Sequence, residues 1–220
     1  DTDRSRGLGD VYKRQEQETW EDYRVYNKNT VHVGNSIVVQ PYVQRHLHEE
    51  EVRFLYAGRL SAVKNVGPMI EAVKSYDRIC SFTILGDGEE RGKMEKLADG
   101  DKRIRFIGAV KPDEVQRAMK EADVLIMNST FEGIPMTILE AISQGLPVIT
   151  TDVGGIKEVL TYGKDSEVTD GSVERIHTAM DKILLDYEAY AKAAYDKSLQ
   201  FDYRKVNRKV FDVLNESLHW

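Results

Sequence analysis

Residues 122–141 read ADVLIMNSTFEGIPMTILEA, an apolar run followed by a polar loop and then a helical pattern. The run Val124-Leu125-Ile126-Met127 has the length and content of a strand buried on both faces. Within residues 131–141, FEGIPMTILEA, Glu132 and Glu140 are separated by seven residues, with Gly133 and Pro135 between them. A proline there suits a first helical turn. The stretch therefore predicts strand, loop and helix in succession. In α/β proteins that junction is where phosphorylated ligands bind, because helix-end amides point outward and the helix dipole favours anions. Two carboxylates sit badly beside a phosphate. They make sense as acceptors of hydrogen bonds from sugar hydroxyls.

Outward from this stretch the same alternation repeats. Short runs rich in Val, Ile and Phe stand at residues 53–57, 81–85, 104–107 and 148–151, besides 124–127. Helical patterns separate them at 66–76, 89–98, 112–122, 135–144 and 156–162. This predicts an α/β fold, a doubly wound parallel sheet of Rossmann-like type. From residue 173 onward the pattern is helical to the end at Trp220. Ser166-Glu167 stands where a sixth strand would run, and a glutamate there is expected to weaken it.

Five segments, four of them outside the opening stretch, stand in a set order: AGRLSAVKN (57–65), ILGDGEE (84–90), IRFIGAV (104–110), ADVLIMNSTFEG (122–133) and GLPVITTDVGGIKEV (145–159). In this order and spacing, and with the Glu132/Glu140 pair, they resemble the retaining family-4 glycosyltransferases. The likeness covers residues 53–160, and the end of the chain also fits. It implies a GT-B fold of two facing Rossmann-like domains, of which this chain holds the second. Residues 16–51 then read as a remnant of the first domain and the linker, with NTVHVGNSIV as the connecting stretch. Residues 52–200 form the donor-nucleotide domain, and residues 201–220 a helix that crosses back to the first domain. Val206, Val210, Phe211 and Leu214 lie on one face of that helix. The expected gene encodes roughly 150 to 200 further residues upstream, a domain's worth. Without them, transfer at a useful rate is not expected, since the cleft lies between two domains.

The resemblance also implies roles. Arg59 and Lys64 neutralise the leaving diphosphate, and Glu132 stands near the transferred sugar; these three are the catalytic candidates. Glu140 accepts from the ribose hydroxyls. Gly58, Gly133, Ile134 and Pro135 give close backbone approach. Met136 and Thr137 offer amides to the diphosphate, and the backbone near Val110 meets the base. The donor is a UDP-sugar or GDP-sugar, the acceptor a glycan or lipid-linked molecule bound by the first domain. No metal is required, and Asp99-Gly100-Asp101 falls in a helix-to-strand loop. Peripheral contact with the inner face of a membrane would come through the first domain.

Other features bound the reading. The net charge of -6 argues against a nucleic-acid surface. A single cysteine, Cys80, leads a predicted buried strand and points to a reduced, cytoplasmic compartment. The five histidines are scattered, without metal spacing. Gly86-Asp87-Gly88 is a faint dinucleotide motif. Glu89-Glu90 would repel a pyrophosphate there, so it reads as a tight turn beside the base pocket. Residues 1–15, DTDRSRGLGDVYKRQ, lack any apolar period, and their ending VYKRQ resembles translated sequencing-adapter read-through. They are read as a non-native tail and set aside. Two other function classes stay open. One is a sugar-nucleotide epimerase or phosphorylase on the same fold. The other is a non-catalytic nucleotide-binding module or a dehydrogenase, although the latter should show Gly-x-Gly-x-x-Gly where this chain has Gly58-Arg59-Leu60-Ser61.

Overall fold

The computed structural model describes residues 34–218. The expectations for residues 1–15 and for Val31-His32-Val33 lie outside the described residues, as does the side chain of Leu214. Six parallel strands form one sheet: β1 (Val52–Ala57), β2 (Cys80–Leu85), β3 (Ile104–Gly108), β4 (Val124–Met127), β5 (Val148–Thr151) and β6 (Ser166–Thr169), in the order β3-β2-β1-β4-β5-β6. The helices are α1 (Gly67–Ser75), α2 (Arg91–Ala98), α3 (Pro112–Glu121), α4 (Met136–Ser143), α5 (Ile156–Val159), α6 (Val173–Leu185), α7 (Tyr187–Ser198) and α8 (Tyr203–Leu218).

Strand periodicity explains the two cores. In β1, Phe54 and Tyr56 face one side with Ile70, Phe82, Ile84 and Ile183. Leu55 and Ala57 face the other with Leu125, Ile138, Leu139 and Ile142. Side chains alternate across a strand, so a strand covered by helices on both faces must be apolar throughout. Each large side chain buried in this way contributes about 1.5–3 kcal/mol.

Helix ends follow local chemistry. At the start of α3 the Lys111 amide donates to the Glu114 carboxylate at 2.9 Å, ahead of Pro112 at the first helical position. The structure starts α4 one residue later than expected, with Pro135 extended at the N-cap. It also limits α5 to one turn, because Leu160 is extended. There the Asp165 carboxylate accepts from the Thr161 amide at 2.8 Å and fixes the exit.

The expectation of a weakened sixth strand is corrected. β6 pairs with β5 over four positions, Val148↔Ser166 to Thr151↔Thr169. Glu167 is buried there, receiving Lys182 Nζ of α6 at 3.0 Å and the Tyr190 hydroxyl of α7. A buried carboxylate is tolerated when it is paired and hydrogen-bonded. Both partners come from helices later in the chain.

The segment before β1 is tied to the end of the chain. The Ile37 amide donates to the Phe201 carbonyl at 2.9 Å, and Tyr203 donates to the Ile37 carbonyl at 2.8 Å. Along α8, Val206 is buried and Phe211 is exposed. Among the described residues no helix is long and apolar enough to cross a membrane.

Candidate functional site

In a doubly wound sheet the ligand crevice opens outside the carboxyl ends of the strands where the strand order reverses. Here the order reverses between β1 and β4, which pair through Phe54↔Val124 and Leu55↔Leu125. The loops that leave these two strands, residues 58–65 and 128–135, carry Arg59, Lys64 and Glu132. They are stitched together: the Thr130 amide donates to the Val63 carbonyl at 2.8 Å.

Two glycine contacts set the spacing of the rim. A Cβ on Gly154, in the loop after β5, would lie 1.8 Å from the Glu132 carbonyl oxygen, and φ there is +56°. The Gly155 amide donates to the Gly133 carbonyl at 3.2 Å. The loop after β5 thus braces the backbone that carries Glu132. On the other side, a Cβ on Gly86 would lie 1.9 Å from the Gly58 carbonyl oxygen, with φ at +129°. Only glycine allows both the left-handed backbone and that approach. The Gly86-Asp87-Gly88 turn is thereby a buttress for the loop after β1.

The central contact joins two candidates. Lys64 Nζ lies 2.5 Å from Glu132 Oε1. The Ser129 hydroxyl donates to the same oxygen at 2.6 Å. Glu132 is buried and Lys64 largely so. Such a pair holds only with close geometry and further hydrogen bonds, and Ser129 supplies one. Glu132 Oε2 accepts no hydrogen bond from a described residue. The ammonium group has three donors and spends one on Glu132. The pair therefore keeps acceptor and donor capacity for a ligand. The Thr151 hydroxyl donates to the Ser129 carbonyl at 2.5 Å and holds Ser129 in place.

Glu140 sits one turn inside α4, half-buried. Among the described residues its carboxylate has no hydrogen-bond or ion-pair partner, and burial alone pushes its pKa up. Pro135 precedes this helix, so Met136 and Thr137 supply its first amides, which have no intrahelical acceptor. Gly133, Ile134 and Pro135 lead from Glu132 into this helix, and the Ile134 carbonyl accepts from Asn35 Nδ2 at 3.4 Å. Val110, just past β3, is part-buried against the same core as Ile134.

Arg59 shares the loop but not the central contact. Its guanidinium is exposed and lies 3.3 Å from Glu89. Its carbonyl accepts from the Tyr56 hydroxyl at 2.8 Å. Burial first, then the charge of Glu132, pushes the pKa of Tyr56 up, which keeps that hydroxyl a donor. A Cβ on Gly58 would lie 2.9 Å from the Tyr56 hydroxyl oxygen, so Gly58 leaves room for this bond.

Several residues that build the site carry no role in the sequence reading: Tyr56, Asn128, Ser129, Thr151 and Gly154. Asn128 is wholly buried and bridges Asn65 and Gly171, whose carbonyls accept from its Nδ2 at 3.4 and 3.2 Å. Its Oδ1 has no partner among the described residues. The signal that could have found Gly154 is its place in a Gly-Gly pair directly after an apolar run. Ser129 and Thr151 give no such signal.

Other expected features have structural duties. Asp99 caps α2 with a left-handed backbone, and Asp101 pairs with Arg103 at 2.7 Å. His46 and His48 pair with Glu188 and Asp123, both at 2.7 Å. A cavity of about 470 Å³ lies among residues 38–48 and the carboxyl ends of α3 and α4, and no rim candidate lines it.

The family described as "Glycosyl transferases group 1" matches residues 40–198. This chain belongs to that family. It is 27% identical over 168 residues to sulfoquinovosyl transferase SQD2 of Arabidopsis thaliana, covering 73% of this chain and 32% of that protein. It is 32% identical over 133 residues to the lipopolysaccharide core biosynthesis glycosyltransferase LpsE of Rhizobium meliloti, covering 59% of this chain and 38% of that protein. The chain thus spans about a third of the length of these curated relatives. Among solved structures, the lipopolysaccharide outer core galactosyltransferase WaaB, in its apo form, aligns with a TM-score of 0.79 at 20% identity, covering 94% of this chain and 62% of that one. Anabaena HepE, in complex with UDP and glucose, aligns with a TM-score of 0.77 at 18% identity over 94% and 63%. At these identities the structural likeness establishes the shared fold.

Proposed function

We propose that this chain is the donor-binding part of a retaining glycosyltransferase that takes a sugar from a nucleoside diphosphate sugar, without a metal. The observation that carries the reading is the pairing of Lys64 with Glu132 at the switch point, together with a Glu140 carboxylate on the helix that follows, which has no partner among the described residues. In this reading Glu140 accepts from the ribose hydroxyls and Glu132 Oε2 from a hydroxyl of the sugar. Lys64 keeps its contact with Glu132 and turns its remaining donors to the diphosphate. Arg59 adds a fork of donors to the same group. When the glycosidic C–O bond breaks, its electron pair goes to the diphosphate oxygen. Fixed cations there stabilise the charge as it grows. Met136 and Thr137 direct free amides at the same charge. Gly58, Gly133, Ile134 and Pro135 let the backbone approach the donor, and the backbone near Val110 meets the base.

The acceptor, a glycan or a lipid-linked molecule, is held by a first domain, which would also make any contact with a membrane. That the names of the related proteins include lipopolysaccharide and sulfoquinovosyl transferases supports a role in glycan or glycolipid assembly. HepE was solved with UDP and glucose, which supports a uridine nucleotide as the first donor to test. The experiment is a thermal-shift and calorimetric screen of UDP-, GDP- and ADP-sugars. One class should bind well above the others, with and without a chelator. Binding that is lost with the chelator would contradict metal independence, and no binding by any donor would contradict the reading itself.

A further inference from the structure

The Gly86-Asp87-Gly88-Glu89 turn does more than buttress the rim. We propose that Glu89 is a positioning residue: it holds the Arg59 guanidinium as an internal counter-ion and competes with a nucleoside diphosphate for it. This rests on the donor-binding reading given above.

The backbone geometry fixes the two partners relative to each other. Leu60, next to Arg59, donates to the Asp87 carbonyl at 2.9 Å, and Glu90 donates to the Leu60 carbonyl at 3.0 Å. A Cβ on Gly88 would lie 2.2 Å from the Leu60 carbonyl oxygen, so the two loops are in direct backbone contact. Glu89 stands inside this contact. Its Oε2 lies 3.4 Å from Arg59 Nε and 3.3 Å from Nη2.

The neighbouring acids already have cations of their own. Asp87 and Glu95 share Arg91, at 3.2 and 2.7 Å, and Glu90 takes Lys93 at 2.9 Å. Arg59 is left to Glu89, and among the described residues it has no other carboxylate partner. Both side chains are largely exposed, 73% for Arg59 and 58% for Glu89. Exposed pairs of this kind are weak and exchange readily for a better anion. A diphosphate carries more charge and accepts a bidentate guanidinium. The carboxyl of Glu89 is held below the ordinary glutamate range, by its own backbone amide first and by Arg59 as well, so it stays charged near neutral pH. When the ligand takes Arg59, this charge is left unpaired close to the diphosphate. Both effects lower affinity for the diphosphate and leave the nucleoside alone.

The test is calorimetric titration of UDP, GDP and ADP and of their nucleosides into the wild-type chain, Glu89→Gln, Arg59→Ala and the double variant. Glu89→Gln should bind the preferred diphosphate about two- to fivefold more tightly, the scale of an exposed ion pair, with the nucleoside unchanged. The gain should shrink at high salt, and shrink clearly in the Arg59→Ala background, where only the repulsion by the Glu89 charge is left to remove. An unchanged or weaker diphosphate affinity in Glu89→Gln overturns the inference. So does a gain that persists at full size without Arg59. If no variant binds any nucleoside diphosphate, the donor-binding reading falls and takes this inference with it. Binding with an unchanged ratio of diphosphate to nucleoside affinity overturns the inference alone.

Discussion

At the amino-terminal edge of the sheet Asp123 is wholly buried and fully engaged, whereas at the carboxyl-terminal edge Glu140 is half-buried and has no partner among the described residues. Asp123 accepts from the Arg53 amide at 2.7 Å, the His48 amide at 3.3 Å and His48 Nδ1 at 2.7 Å. Beside it Arg45 donates to the carbonyls of Met119, Lys120, Ala122 and Gln144, which close α3 and α4. At the other edge, among the described residues, one Glu132 oxygen accepts no hydrogen bond and the buried Asn128 Oδ1 has no partner; at the first edge the buried Gln144 Oε1 likewise has none. The contrast lies in the carboxylates, which serve the fold at one edge and keep acceptor capacity at the other. Acceptor capacity left unspent on a partly buried carboxylate costs stability, and proteins retain it where a ligand completes it. Substitutions at the first edge should therefore change stability, and those at the second should change binding.

The largest effect is expected from Asp123→Ala. It leaves two amides and His48 without their acceptor, and should lower the unfolding free energy by about 3 kcal/mol in urea titration. Nucleotide affinity of the folded fraction should hardly move; a large loss would break the division between the edges. Gly154→Ala should sharpen it by affecting both. Its Cβ would meet the Glu132 carbonyl at a left-handed backbone position. A loss of about 2 kcal/mol in stability, with weaker donor binding, is expected. Arg59→Ala is a binding change only. It should weaken the diphosphate about tenfold, the scale of a charged hydrogen bond, with less effect on the nucleoside. Equal losses for both ligands would contradict the phosphate role.

The smallest effect is in pH. Burial raises the pKa of Glu140, so its contribution to stability is present below the ordinary glutamate range and is lost as pH rises through the raised value. Binding runs the other way, because ribose hydroxyls donate to the carboxylate. Affinity for the nucleoside should fall as pH drops through that value, and Glu140→Gln should flatten the profile in calorimetry.

Much of the fold is legible in the sequence, because both-face burial forces continuous apolar strands. β4 and β5 have the expected limits, and the other three expected strands shift by a single residue at one end. β6 escaped because Lys182 and Tyr190, which make Glu167 acceptable, come from α6 and α7. That Arg59, Lys64 and Glu132 stand on loops leaving neighbouring strands was legible from the order of strands and loops. How they pair was not: nothing local says that Lys64 turns to Glu132 while Arg59 turns to Glu89. The glycine contacts at Gly86 and Gly154 were hidden for the same reason, since each is made against a distant loop.

The most direct test of the central claim reads two quantities on one substitution, Glu140→Ala, with the nucleoside diphosphate that the wild-type chain binds best. The account predicts a binding loss of about 1.5–3 kcal/mol, the worth of hydrogen bonds to a charged group, and an unfolding free energy no lower than that of the wild type. Unchanged affinity together with a clear loss of stability would show that Glu140 serves the fold, and would contradict the account.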